Sequence, residues 1–271
     1  MSFPNKKDVV YNKAPLKQVI CQLRFPRILR IDSRPPEGFQ ERIRDRYPLY
    51  EQGVLKQRLG PLTEILSDDV VKLLTRQDQQ TYDFISVDGN WSVGLTSEFV
   101  ALSTSKYSDW NTFVGHLQHI IYALQTEFEP AFFTRIGLRY QNVISQKELG
   151  LDNNISWIDL IDSSLTGILS GNIKVSPNAI IEENHVVIIN LGNEIGKVKI
   201  QYGIKKDVKV QNRIIDEGYI LDNDLFIDNR RIKADEVINR LHNLNEFAGR
   251  IFQASITDKL YNALEPRERG D

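Results

Sequence analysis

The sequence predicts an α+β fold in which mainly antiparallel sheets are each covered on one face by a long amphipathic helix. Three observations lead there. Short runs alternate with period two, as in residues 16–25, where Val19, Cys21, Leu23 and Phe25 share one side while Gln18, Ile20, Gln22 and Arg24 share the other. Tight-turn residues such as Asp88-Gly89-Asn90 join neighbouring runs. Two stretches carry a helical stripe: Trp110, Phe113, Leu117, Ile120, Ile121 and Leu124, and later Val237, Leu241, Leu244, Ala248, Ile251 and Phe252.

The elements follow in chain order. Pro26 ends the first strand, and Pro35-Pro36 prepares a helix at 37–47, where Phe39, Ile43 and Tyr47 recur at steps of four before Pro48. Residues 54–105 read as a meander, with strands near 54–59, 63–67 and 70–76, a hairpin of 82–87 with 91–95, and a strand at 99–104. Ser108 or Asp109 caps the first long helix, and Pro130 marks its end. Residues 132–144 form a long strand with Ile136, Leu138 and Tyr140 on one face and Arg135, Gly137 and Arg139 on the other.

The polar stretch 147–154, with Gly150, separates an N-terminal half (1–148) from a C-terminal half (149–271). In the second half, 157–169 has helical spacing, and strands follow at 179–182, 185–191, 197–204 and 217–222. A helical pattern spans 234–264, with Ser255-Ile256-Thr257-Asp258 placed to break and recap it. Each half thus reads as a strand meander followed by a long helix.

Composition narrows the function classes. A chain of 271 residues with 41% hydrophobic and 26% charged residues can bury a full core without metals or disulfides. Its single cysteine, Cys21, excludes an internal disulfide framework. No run approaches the ~18 apolar residues of a membrane span, and Met1 to Lys7 lack the apolar stretch of a secretory signal. Cytoplasmic localisation without membrane association is the expectation. The net charge of −2 is unevenly spread, since residues 1–58 hold 13 Lys and Arg against 6 Asp and Glu. Such a region either attracts phosphate or an acidic partner, or is balanced by acids from elsewhere in the fold.

No motif assigns a catalytic residue, a metal or a cofactor. Gly192 to Lys197 reads G-x-x-x-G-K, one residue shorter than a phosphate loop and followed by Val198, so it reads as a turn between strands. His116 and His119 share a helix face but lack a third ligand, while His185 and His242 are isolated. Asp222, Asp224 and Asp228 fail the calcium-loop pattern, because Ile227 and Lys233 stand where Gly and Glu are needed. Asp68, Asp69, Asp83 and Asp88 are acids without a fixed spacing, and Cys21 lies on an apolar strand face.

Arginine is the more informative residue. Arg135 and Arg139 flank Gly137 on one strand face, so their guanidinium groups can converge where no side chain intervenes, a geometry that suits carboxylate or phosphate. The competing reading pairs them with acids such as Glu98 or Asp83. Arg24 joins the group if its strand is a neighbour. Arg27, Arg30, Arg34, Arg42, Arg44 and Arg46 form a broad basic surface, with Tyr47 and Tyr50 nearby.

Four segments stand out together: Ala14-Pro15-Leu16 leading into Leu23-Arg24-Phe25-Pro26; Phe39-Gln40-Glu41-Arg42 with Tyr47-Pro48; Arg135 through Asn142; and Ile256-Thr257-Asp258. In these the chain resembles, over nearly its whole length, a sporadically distributed family of bacterial proteins with no settled biochemical function. The resemblance transfers no catalytic residues. Its patchy distribution implies accessory genes such as mobile defence or toxin-control loci. The expected function is a non-enzymatic interaction or regulatory protein that binds another protein or itself. The alternatives are a nucleic-acid or nucleotide binder using the N-terminal arginines with Arg135 and Arg139, and an enzyme of unrecognised type.

Overall fold

The computed structural model describes residues 7–54, 80–152, 155–171, 173, 175, 179–192, 195–210 and 213–268. It is an α+β protein built on antiparallel strand pairs. The strands expected at 54–59, 63–67 and 70–76 lie almost wholly outside the described residues.

The chain divides into two compact units, one of Ile20–Gly137 with Ile227–Asn239, the other of Met1–Val19, Leu138–Phe226 and Arg240–Asp271. The division passes through strands and one helix.

In the first unit β3 (Leu49–Val54), β4 (Gln80–Ile85), β5 (Trp91–Leu95), β6 (Phe99–Thr104), β2 (Leu16–Arg24) and β7 (Phe133–Ile144) are neighbours in that order. The hairpin predicted at Asp88-Gly89-Asn90 forms, with Ile85 opposite Ser92. Asp88 locks the turn by accepting from Ser86 Oγ at 2.6 Å and from the Asn90 amide at 3.1 Å, and these hydrogen bonds hold its pKa down to about 2. Helix α3 (Trp110–Phe128) is N-capped by Asp109, which accepts from the Thr112 amide at 2.9 Å. The predicted stripe of α3 is buried, and Trp91 of β5 stacks on His116 at 3.9 Å. The region ahead of β3 differs from expectation. A short α1 (Leu29–Ser33) precedes α2 (Glu37–Ile43), which stops a turn before Tyr47.

In the second unit the order is β2, β7, β10 (Arg213–Ile232), β9 (Gly196–Val210), β8 (His185–Gly192). A short α4 (Gln146–Leu149) follows β7, and helix α5 (Ala234–Ala254) contributes buried Leu241, Leu244, Ala248 and Ile251, its Asn245 accepting a hydrogen bond from Tyr140 of β7 at 2.7 Å. The helix breaks at the predicted point, and Thr257 caps α6 (Asp258–Ala263). That break explains a departure from the sequence reading. Residues 157–169 do not form one helix but three short 3₁₀ turns, Trp157–Asp159, Ser163–Leu165 and Gly167–Ser170. Ile161 forms a β-bridge with Ile256, and the Asp162 amide donates to Ser255 at 3.0 Å, so tertiary pairing takes the backbone groups a helix would use. A small pairing of β1 (Val9–Tyr11) with β11 (Pro266–Glu268) completes this unit. Among the described residues no helix is long and apolar enough to cross a membrane.

Glycine 203 fixes the start of β8. The chain ahead of that strand continues along β9, with the Glu183 amide donating to Ile204 at 2.7 Å and Glu182 bridged to Lys205. Gly203 has φ +148°, and a Cβ there would lie 1.8 Å from the Glu183 carbonyl oxygen. Gly203→Ala is therefore expected to destabilise the protein by more than ~1 kcal/mol and to speed hydrogen exchange at Glu183. Unchanged urea unfolding and exchange would contradict this role.

Candidate functional site

The two arginines singled out on β7 belong to different units, and each has its own partners. Arg139 forms a forked ion pair with Asp222 of β10. Its Nε donates to the two carboxylate oxygens at 2.8 and 3.1 Å, and its Nη2 donates to Oδ2. Gln141 adds a donor to the same carboxylate at 3.2 Å. The side chains are 14% and 6% exposed. Burial opposes the charge on Arg139, but the Asp222 carboxylate outweighs it and raises the guanidinium pKa.

Arg135 lies over Gly137. Its Nη1 donates to Gln22 of β2 at 3.2 Å, and a Cβ at Gly137 would come within 2.6 Å of that same nitrogen. The missing side chain is thus a seat for the guanidinium group of Arg135 itself. Arg24 reaches Glu98 at 4.0 Å.

The N-terminal arginines are mostly matched by local acids. Arg27 pairs with Asp32 at 2.8 Å, Arg42 with Glu127 at 2.5 Å and Arg44 with Glu41 at 3.1 Å. Arg46 donates to the Gly115 carbonyl at 3.3 Å and lies 4.0 Å from Asp45. Arg30 covers the Phe128 ring, 5.0 Å from its centroid, and lines with Arg34 an open cleft of about 300 Å³ beside Pro35 and Pro36.

Asp68 and Asp69 lie outside the described residues, and the two histidines of α3 have structural partners. The His116 Nδ1 meets the Tyr47 hydroxyl at 2.7 Å, while His119 lies 3.3 Å from Asp45. Burial, followed by Arg46 and His119, lowers the His116 pKa. Cys21 is fully buried, which pushes its thiol pKa up and keeps it protonated. Asp224 sits opposite Lys199, and Lys197 lies 5.8 Å from the Phe226 centroid across the same strand pair. The glycines of the G-x-x-x-G-K stretch join β8 to β9 with φ +105° and +95°. Among the described residues no group of three or more His, Cys, Asp or Glu side chains is placed to share an ion.

A different feature stands out at the sheet edge. β8 is last in the strand order, so among the described residues its outer side has no strand partner. Val186, Val187 and Ile188 on it are 49%, 40% and 61% exposed, although they point alternately to both faces. No charged residue occurs from Val186 to Gly192. The sequence predicts the strand at 185–191 but not its exposure. The available signal was the uncharged run Val186-Val187-Ile188-Ile189 lying between Glu183 and Lys197.

No protein-family model matches the chain, and no curated protein matches it.

Arg139→Ala is expected to lower stability by about 3 kcal/mol, because it leaves the Asp222 carboxylate buried without its cation. The double variant Arg139→Met/Asp222→Leu should recover most of that loss in denaturant unfolding. A single variant within about 0.5 kcal/mol of the parent would show that the pair is not structural.

Proposed function

We propose that the protein is a non-enzymatic interaction protein of the cytoplasm that binds a polypeptide chain by adding a strand to β8. The observation that carries this reading is the exposed, uncharged edge of β8. An edge strand offers a row of backbone donors and acceptors, and partners that add a strand take affinity from those groups and specificity from alternate side chains. Protective devices usual on such edges, a lysine or a proline, are missing between Val186 and Gly192.

The arginines support the same choice indirectly. Binding to nucleic acid draws on cations available to phosphate, whereas Arg24, Arg27, Arg42, Arg44 and Arg139 each lie beside a carboxylate. The accessory-gene setting implied by the family resemblance is compatible with a binding protein.

A photo-crosslinking residue placed at Ile188, in the cells that make the protein, is expected to trap a polypeptide chain. The control position is Tyr122, 63% exposed on α3. Equal or absent adducts at the two positions would overturn the reading.

A further inference from the structure

We infer that the strand added to β8 is β8 of a second copy, run antiparallel about a twofold axis at Ile188. This inference rests on the edge-binding reading and names its partner. The pairing follows from the residues. With Ile188 opposite its own counterpart, Val187 faces Ile189, Val186 faces Asn190 and His185 faces Leu191, so no Asp, Glu, Lys or Arg is opposed and the central pairs are wholly apolar. A charged partner strand would find no complement among these side chains. Self-pairing meets no repulsion, and it satisfies the same backbone groups on both copies, as an isologous interface requires.

The span is also defined by the fold. A register shift between Asn190 and Gly192 ends regular pairing with β9 at one end. At the other end, the chain before His185 is tied to β9 through Glu182 and Glu183. Ile181, 76% exposed, flanks this strand and adds apolar surface. A ladder of this length buries less than the ~1,200–2,000 Å² of a standard stable interface, so the dimer is a weak one whose population depends on concentration.

Sedimentation equilibrium on the full chain tests this. The apparent mass is expected to rise with concentration from 31.2 kDa toward twice that value. Ile188→Lys and Ile188→Glu, each placing like charges opposite one another, should raise the dissociation constant at least ~10-fold. Mixing these two variants should restore a dimer through Lys opposite Glu. Because Ile188 is largely exposed, both variants should keep the parent's circular dichroism and unfolding midpoint. A mass of 31.2 kDa at all concentrations, or a dimer indifferent to both substitutions, would overturn the inference. A monomeric protein whose crosslinked partner in cells is a different chain would sink self-pairing and leave the edge-binding reading standing.

Discussion

A strand at the end of a sheet has hydrogen-bond partners on one side only, and among the described residues β8 is such a strand. Proteins ordinarily blunt this edge with charge, proline or a short length. Here eight residues run from His185 to Gly192, and the middle of the run is valine and isoleucine. The edge is held in place from within, because Gly203 lets the Glu183 backbone approach β9 closely. That close approach has no room for a side chain.

The polar side of the second unit's sheet is organised differently. There Arg139, Gln141 and Asp222 answer one another, and Asp224 stands opposite Lys199. A buried ion pair of this kind contributes little net stability, since desolvation offsets much of the attraction, yet losing either member leaves an uncompensated charge. Arg139 is therefore better understood as a register pin between β7 and β10 than as a hand extended to a ligand. In the first unit, the guanidinium of Arg135 fills the space above Gly137. The same residue types that suggest anion recognition in a sequence serve here to hold adjacent strands together.

Much of the architecture is legible in the sequence. The Asp88-Gly89-Asn90 hairpin, the Asp109-capped helix and the break before Thr257 depend on local chemistry, which sequence displays directly. Residues 157–169 were misleading because their helical spacing is overridden by pairing between Ile161 and Ile256, a contact invisible to periodicity. The partner of Arg139 was equally hidden. Glu98 and Asp83 were the acids expected, whereas strand order brings Asp222, 83 residues away, beside it. β8 was the subtlest case. A continuous run such as Val186-Val187-Ile188-Ile189 resembles a strand buried on both faces, and only its position at the end of the order exposes it.

Amide hydrogen exchange across β8, followed as a function of protein concentration, reads the open edge most directly. If a second copy covers it, exchange at Val186 to Asn190 slows as concentration rises, while α3 and β5 are unaffected. Exchange in β8 that is independent of concentration would contradict pairing between copies.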